Sequence, residues 1–384
     1  MDKIKVLSVF GTRPEAIKMA PLVKHLASRP EFESLCCLTG QHREMLDSVM
    51  DIFRLKADYD LNIMQARQTL SSITSRTLLG MEEVLETAKP DLVLVHGDTS
   101  TTFAGALAAF YHKIPVGHVE AGLRTWDKYS PFPEEMNRTL VGDIAELHFC
   151  PTANNLRNLE REAIAGDKFI TGNTVIDAMQ TTVRKDFVFS VPELNELDFA
   201  HRRVIAVTCH RRENYGQPMV NIMEALRELA AAHPELELVY PVHLSPVVRD
   251  CVFGILKDLP RVHLIDPIDV ENMHNLMARC HFVMTDSGGL QEEAPALGKP
   301  VLVLRRETER PEAVRAGTVK LAGVEKQNIL ALAEELLTDE HTYSAMAHAV
   351  NPYGDGHACE RIAQGILWHF GRIAEKPADF DSGL

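Results

Sequence analysis

Short runs of apolar and β-branched residues alternate with amphipathic segments along the chain, a pattern typical of α/β proteins with parallel sheets. In the first half, it predicts buried strands at IKVLSVF, DLVLVHG and IPVGHVE. Helices are predicted after two of them, at EAIKMAPLVKHLAS and TTFAGALAAFYH. A second series of strands is predicted at RVIAVTCH, ELVYPVH, VHLIDP, FVMTDSGG and PVLVLR. We therefore expect an α/β fold with two Rossmann-like, doubly wound domains and an interdomain cleft.

The domain boundary is expected near residues 170–200. There the segment FITGNTVIDAMQ is followed by the polar, irregular stretch VPELNELDF, before the second series begins. The chain has 384 residues, which is longer than a single hydrophobic core usually supports. Length and pattern thus agree on two domains.

Composition and charge narrow the classes of function. The net charge of −14 argues against nucleic acid held by a general basic surface. No apolar run approaches the ~20 residues that span a bilayer, and the first residues lack the features of a signal peptide. The cysteines form no C-x-x-C pair and the histidines no H-E-x-x-H, so we expect no metal. These features predict a cytoplasmic protein with no membrane partner.

The first strand is followed by GTRPEAIK, which places Arg13 and Lys18 at the start of a helix. A helix N-terminus with two added cations favours an anion. The alternative is that both are solvated surface charges. Because the chain has neither G-x-x-x-x-G-K-[ST] nor G-x-G-x-x-G after a strand, the usual ATP and NAD motifs are absent.

Three carboxylates follow the next strands. Asp98 and Glu120 end successive strands in HGDTSTT and HVEAG, and ligands of open α/β sheets bind at such strand ends. Asp98 alone could be an N-cap. Glu134 and Arg138 lie at i, i+4 in PEEMNR, a spacing that usually means surface stabilisation. Because two carboxylates end successive strands, we favour a site.

The second half offers groups suited to a nucleoside diphosphate. His210 lies in CHRREN, directly after a strand. Ser287, Gly288 and Gly289 form a turn whose N–H groups can bind phosphate. Glu293 lies one turn into the next helix, where it suits a ribose diol, and Arg310 can neutralise or orient it. Cations facing carboxylates, with no metal motif, fit the C–O bond chemistry of a nucleotide sugar.

Eleven ordered motifs carry a family resemblance. They are FGTRPEAIKMAPL, GQHREML, VHGDTSTT, HVEAGLRT, PEEMNR, GNTVIDA, HRREN, PVHLSP, TDSGGLQEEAPALGKPVLVLR, TERPEAV and NPYGDGHACERI. From about residue 4 to residue 362 the chain resembles the non-hydrolysing UDP-N-acetylglucosamine 2-epimerases of bacteria. The resemblance implies a GT-B type fold, with an N-terminal domain of residues 1–172 completed by a C-terminal helix at about 360–384. A UDP-binding domain would span residues 173–359.

The resemblance also implies an activity. It is the interconversion of UDP-GlcNAc and UDP-ManNAc at C2, by elimination of UDP to 2-acetamidoglucal and re-addition, in a homodimer that needs no cofactor. The product would feed surface polysaccharide. By resemblance, Asp98, Glu120 and Glu134 handle protons and His210 assists the leaving group. The remaining substrate-binding positions would be Arg13, Lys18, Arg138, Ser287, Gly288, Gly289, Glu293 and Arg310.

A second UDP-GlcNAc is implied as an allosteric activator of the same family. The matching positions are Gln41, His42, Gln65, Arg67, Arg211 and His243. Cys209, which precedes His210, stands where a smaller residue is usual. From this difference we expect sensitivity to thiol reagents.

Three other functions fit parts of the pattern. A hydrolysing 2-epimerase would share the elimination step but release ManNAc and UDP. A GT-B glycosyltransferase would share the DSGGLQEE half, yet leave the three carboxylates of the first half without a role. A nucleotide-sugar sensor would bind UDP-GlcNAc and tolerate the loss of Asp98.

Overall fold

The computed structural model describes residues 2–40, 43–65 and 67–383, with the side chains of 43–45 left out. The chain forms two compact units. The first comprises the residues up to Thr181 together with Tyr353–Asp381, and the second is built on Thr182–Pro352. Nearly all of the helix Thr174–Thr182 thus lies in the first unit, whereas a boundary at residue 172 would assign it to the second.

Every strand pair in the described residues is parallel. The first unit contains β1 (Ile4–Phe10), β2 (Phe32–Leu38), β3 (Tyr59–Asp60), β4 (Leu92–His96), β5 (Val116–Val119), β6 (Leu147–Cys150) and β7 (Asp167–Ile170). The second contains β8 (Arg203–Thr208), β9 (Leu236–Pro241), β10 (Val262–Ile265), β11 (Phe282–Thr285), β12 (Val301–Val303) and β13 (Val319–Leu321). The sheet orders are β3-β2-β1-β4-β5-β6-β7 and β10-β9-β8-β11-β12-β13.

Helices alternate with these strands. They are α1 (Arg13–Ser28), α2 (Arg43–Phe53), α3 (Leu70–Ala88), α4 (Ser100–Tyr111), α5 (Glu134–Ile144), α6 (Ala153–Arg161), α7 (Thr174–Thr182), α8 (Pro192–Asn195), α9 (Gln217–Ala232), α10 (Pro246–Leu256), α11 (Val270–Arg279), α12 (Gly288–Ala296), α13 (Pro311–Ala316), α14 (Lys326–Thr338), α15 (Glu340–Ala347) and α16 (Ala358–His369). Both sheet orders start in the middle and wind outward in two directions, so the prediction of two Rossmann-like domains is confirmed.

The central strands are almost wholly buried because helices cover both faces of each sheet. In β4, all five residues are buried. The helix α16 returns to the first unit and adds Ile362 and Ile366 to its core. Asp177 of α7 fixes this return, since its carboxylate accepts hydrogen bonds from the backbone N–H groups of Ala358 (3.2 Å) and Cys359 (2.8 Å).

The predicted strands are all present, but the first sheet has four more. These are β2, β3, β6 and β7, and the second sheet adds β13. The missed strands are short or mixed in polarity. β2, for example, reads FESLCCL and carries an exposed Glu33. Among the described residues, no helix combines the length and apolar character needed to cross a membrane.

Candidate functional site

Two carboxylates lie at the ends of neighbouring strands in the first unit. β4 and β5 pair in parallel, with His96 opposite Val119. Glu120 directly follows β5, and Asp98 comes two residues after β4. Because the two strands run parallel, each places a carboxylate at the same edge of the sheet, as the sequence predicts.

The Asp98 carboxylate is paired with the guanidinium of Arg138, which donates through Nη2. Its backbone carbonyl accepts a hydrogen bond from Asn137 Nδ2 at 2.9 Å. Burial raises the pKa of Asp98, and the negative charges of Glu120 and Glu134 raise it further, while Arg138 opposes the shift. Asp98 is therefore easier to protonate than an ordinary aspartate, which suits proton transfer.

Of the two glutamates that open α5, Glu135 is buried and Glu134 is not. The Glu135 carboxylate accepts hydrogen bonds from the N–H groups of Thr125 and Trp126, both at 2.9 Å, and from Arg138 at 3.1 Å. It thus anchors the loop before α5 and orients Arg138. Glu134 is half-buried at the first position of the helix, close enough for its charge to act on Asp98.

Glu120 has a constrained backbone and a cationic neighbour. Its φ of 63° lies in the left-handed region, which is uncommon for a residue other than glycine and concentrates at functional sites. The carboxylate is paired with Lys18 Nζ and accepts a hydrogen bond from Asn173 Nδ2 at 3.0 Å. His96 Nε2 lies 3.8 Å from it, and burial lowers the pKa of that imidazole.

Lys18 belongs to α1, whose start is fixed by Glu15. The buried Glu15 carboxylate accepts from the N–H groups of Gly11 (3.0 Å) and Thr12 (2.7 Å). It also accepts from the hydroxyls of Thr99 (2.7 Å) and Thr102 (2.8 Å), which open α4. The turns after β1 and β4 are thus tied together. Arg13, the first residue of α1, is exposed.

One neutral histidine supports the turn that precedes Asp98, and a second lies beside it on the neighbouring strand. His118, on β5, donates from Nε2 to the carbonyl of Gly97 at 2.7 Å. His148, its partner on β6, donates to the carbonyl of Ala165 at 2.9 Å. Both side chains are completely buried. Burial lowers the pKa of His118 to about 3 and that of His148 to about 4, so both remain uncharged at neutral pH.

In the second unit, Asp286 organises the loop that carries His210. Its Oδ2 accepts hydrogen bonds from the N–H groups of His210 and Arg211, both at 2.8 Å, and from Asn214 Nδ2 at 3.0 Å. The His210 ring stacks on that of His243, with centroids 5.2 Å apart. Burial lowers the pKa of His210, and Asp286 counteracts this effect.

The turn Ser287-Gly288-Gly289 leads into α12, and two guanidinium groups approach it. A Cβ built on Gly288 would lie 3.7 Å from Arg310 Nη2 and 3.8 Å from Arg211 Nη2. The guanidinium of Arg310 is itself paired with the buried Glu292. Glu293 lies 3.4 Å from His274 Nε2. A helix N-terminus flanked by two Arg side chains is suited to a phosphate.

The model of the family described as UDP-N-acetylglucosamine 2-epimerase matches residues 24–367. The UDP-N-acetylglucosamine 2-epimerase of Bacillus subtilis (strain 168) is 56% identical over 381 residues, covering 99% of both chains. The chain belongs to the UDP-N-acetylglucosamine 2-epimerase family. The predicted resemblance to these epimerases is thereby confirmed.

Similar solved structures agree with this assignment. The UDP-GlcNAc 2-epimerase from Neisseria meningitidis, bound to UDP-GlcNAc, is 49% identical and has a TM-score of 0.84, over 95% of this chain and 100% of that one. A co-structure of S. aureus MnaA with UDP is 50% identical and has a TM-score of 0.88, over 98% of this chain and 100% of that one.

The positions predicted for an activator of this epimerase fall in different parts of the chain. Gln41 and His42 lie outside the described residues. Gln65 and Arg67 are exposed residues of the first unit, and Gln65 accepts a hydrogen bond from Arg76. Arg211 and His243 belong to the second unit, where they lie beside Gly288 and His210 respectively.

Cys209 does not have the surroundings of a reactive thiol. It is completely buried, and burial together with the charge of Asp286 raises its pKa well above the ordinary value. Because the thiolate is the reactive form, these surroundings argue against the expected sensitivity to thiol reagents, which stays a prediction.

Three supporting residues of the site were missed from sequence. Glu15 had a local signal, because Thr12-x-x-Glu15 is the spacing of a capping box. Glu135 differs from Glu134 only by one position, and no sequence pattern says which of the two is buried. Asp286 stands directly before the predicted phosphate turn, but its contacts reach back to residue 210.

Proposed function

We propose that the protein interconverts UDP-GlcNAc and UDP-ManNAc without releasing a free sugar. The observation that carries the proposal is the pair of carboxylates at neighbouring strand ends, Asp98 with Arg138 and Glu120 with Lys18. Family membership supports the substrate, since a relative is bound to UDP-GlcNAc and another to UDP. The activity would supply ManNAc-type sugars for surface polysaccharide.

The chemistry requires more than one proton-transfer group. The C2–H bond of an N-acetylhexosamine has no adjacent carbonyl, so direct removal of the proton is difficult. We propose that C2 loses its proton while the C1–O bond breaks, so that UDP leaves with the electron pair and 2-acetamidoglucal remains. UDP then adds back to C1 as C2 is protonated on the opposite face.

In this proposal, the carboxylates of the first unit carry out the proton transfers. Asp98 is the group whose pKa is raised by burial, so it accepts a proton more readily than an ordinary aspartate and can return it. Glu120, held by Lys18 and Asn173, is the second proton-transfer group, and Glu134 the third. Arg138 orients Asp98, and Arg13 and Lys18 serve the substrate side.

The second unit binds the diphosphate and ribose in this proposal. Gly288 and Gly289 offer backbone N–H groups to phosphate, and Arg310 adds positive charge. Ser287 offers its hydroxyl, because its own N–H donates to Thr285 Oγ1 at 2.9 Å. Glu293 binds the ribose hydroxyls. His210 stabilises the charge that develops on UDP as it leaves. We further propose a cytoplasmic homodimer, activated by a second UDP-GlcNAc through Gln41, His42, Gln65, Arg67, Arg211 and His243.

Incubation with UDP-GlcNAc in D2O, followed by proton NMR of the sugar, tests the proposal. We expect UDP-ManNAc with deuterium at C2, and deuterium entering the UDP-GlcNAc pool. Free ManNAc and UDP would instead identify a hydrolysing 2-epimerase. A bound but unchanged and undeuterated substrate would point to a transferase lacking its acceptor or to a sensor.

A further inference from the structure

Asp286 is a buried carboxylate at the centre of the second unit's polar loops. It is completely buried, directly after β11. One oxygen, Oδ2, accepts hydrogen bonds from His210, Arg211 and Asn214. Such clustering of donors on one buried oxygen offsets part of the desolvation of the charge, while the buried Oδ1 accepts no hydrogen bond from the described residues.

The same residue lies between the two loops that the proposed reaction uses. β8 and β11 are neighbours, with Thr208 opposite Thr285, and the Asp286 N–H donates to the Thr208 carbonyl at 3.2 Å. The His210 loop follows β8, and the turn Ser287-Gly288-Gly289 follows Asp286 itself. A displacement of Asp286 would therefore change the distance between His210 and that turn.

We propose that Asp286 is a positioning residue for the leaving-group step, holding the backbone of His210 and Arg211 beside the N-terminus of α12. The inference rests on the proposed function, in which His210 meets the departing diphosphate. It explains why Arg211 Nη2 lies within 3.8 Å of the position of a Cβ on Gly288. Asp286 touches no substrate and acts through the two residues that it holds.

The charge of Asp286 also acts on the His210 ring. The groups that face this ring are Asp286, which raises its pKa, His243 and Arg211, which lower it, and Glu213, which raises it. If protonated His210 stabilises departing UDP, the rate falls as pH rises through that pKa. Removal of the Asp286 charge lowers the pKa, so the alkaline decline in rate moves to lower pH.

The experiment compares two substitutions of Asp286 in the full-length protein. Asp286→Ala removes both the hydrogen-bond acceptor and the negative charge. Asp286→Asn removes the charge but keeps the side-chain shape and one acceptor oxygen. Val252→Ala is the control for lost stability, since Val252 is a completely buried residue of α10 in the same core. For each protein, kcat and KM for UDP-GlcNAc are measured against pH, with the Kd for UDP and the melting temperature.

We expect Asp286→Ala to lower kcat about 100-fold, since misplacement of a catalytic group by about 1 Å has such effects. The Kd for UDP should rise about tenfold, because Arg211 is no longer held at the phosphate turn. In Asp286→Asn, the alkaline decline of kcat should lie about one pH unit lower. Val252→Ala should lower the melting temperature with none of these changes.

Two results would overturn the positioning role. One is a kcat within threefold of wild type in both Asp286 variants, and the other is an unchanged alkaline decline in Asp286→Asn. If Asp286→Ala does not fold, Asp286→Asn alone decides. If wild type does not epimerise UDP-GlcNAc at all, the proposed function fails separately. The Kd for UDP then decides, since wild-type affinity in the Asp286 variants contradicts positioning and a tenfold loss supports it.

Discussion

At the scale of residues, Asp98 and Glu120 have the same chemistry but different partners. Asp98 is paired with a guanidinium, and its pKa is raised by burial and by two nearby carboxylates. Glu120 is paired with an ammonium and an amide. Two acids with separate surroundings are the arrangement that a reaction with proton removal and proton return requires.

Asp98→Asn should lower the rate of epimerisation about 1000-fold, because a positioned acid or base contributes roughly 100- to 10,000-fold. The measurement is UDP-ManNAc formation, with deuterium exchange at C2 in D2O. Asp91→Asn is the matched control, since Asp91 is exposed in the same unit and accepts a hydrogen bond from the Lys5 N–H. Undiminished turnover in Asp98→Asn would exclude Asp98 from the chemistry.

Arg138→Met should shift the pH dependence of the rate. Arg138 lowers the pKa of Asp98, so its removal raises that pKa further. If ionised Asp98 is the active form, the acidic decline of kcat/KM moves to higher pH. Arg138→Lys retains the positive charge and should shift less. Identical pH profiles for the Met and Lys variants would contradict this account.

The sequence predicts the residues at strand ends well, but not their supports. Asp98, Glu120 and His210 stand within two residues of the ends of apolar strands, where the alternation of strand and helix identifies them. Glu135 was not predicted because it differs from Glu134 only in burial. Asp286 was not predicted because its contacts join positions that are distant in the sequence. Such information arises only when the strands are placed side by side.

At the scale of elements, the central strands β5 and β6 share a pair of buried histidines, His118 opposite His148. In the unfolded chain their pKa would be near 6.5, against about 3 and about 4 in the fold. Below pH 6.5 the unfolded state therefore binds more protons. Stability is lost as pH falls from the unfolded pKa towards the folded one.

We expect each of these histidines to contribute about 2 kcal/mol to the loss of stability between pH 7 and pH 5. His118→Gln or His148→Gln should make stability less dependent on pH in this range. Urea unfolding at several pH values measures the effect. His201→Gln is the control, because the His201 side chain is 83% exposed. An unchanged pH dependence in both buried variants would disprove the assignment.

Element prediction succeeded where apolar and β-branched residues dominate a run. The run IKVLSVF coincides with β1, Ile4–Phe10. The missed strand β7 reads DKFI, in which half of the positions are polar. α7 shows another limit, since the boundary predicted near residues 170–200 does not say which unit this helix joins.

At the scale of the whole molecule, the two units differ in which parts of the sequence form their hydrophobic cores. The main hydrophobic cluster of the second unit is drawn from residues between Ile205 and Met346. The core of the first unit needs residues from the far end of the sequence, including Ile362, Ile366 and Leu367 of α16. The main core of the second unit thus comes from one stretch of the chain, whereas the core of the first unit comes from two.

A fragment of residues 182–352 should therefore fold alone, whereas residues 1–181 should not. Without α16, the first unit loses the burial of three large aliphatic side chains, worth roughly 6 kcal/mol of the 5–15 kcal/mol that usually stabilises a domain. Circular dichroism and thermal melting of each fragment measure this. Adding residues 353–384 in trans should restore the first unit, and a cooperative transition of residues 1–181 alone would refute the prediction.

The return of α16 also has a consequence for synthesis on the ribosome. Domains usually fold in the order in which they emerge, the N-terminal one first. Here the residues that complete the first core are translated after the whole second unit. The carboxylates of β4 and β5 thus emerge early, but the sheet that carries them acquires its last covering helix only near the end of translation. A chain that is still being translated should therefore expose the apolar face that α16 later covers. We expect the need for chaperones to be greatest at this stage.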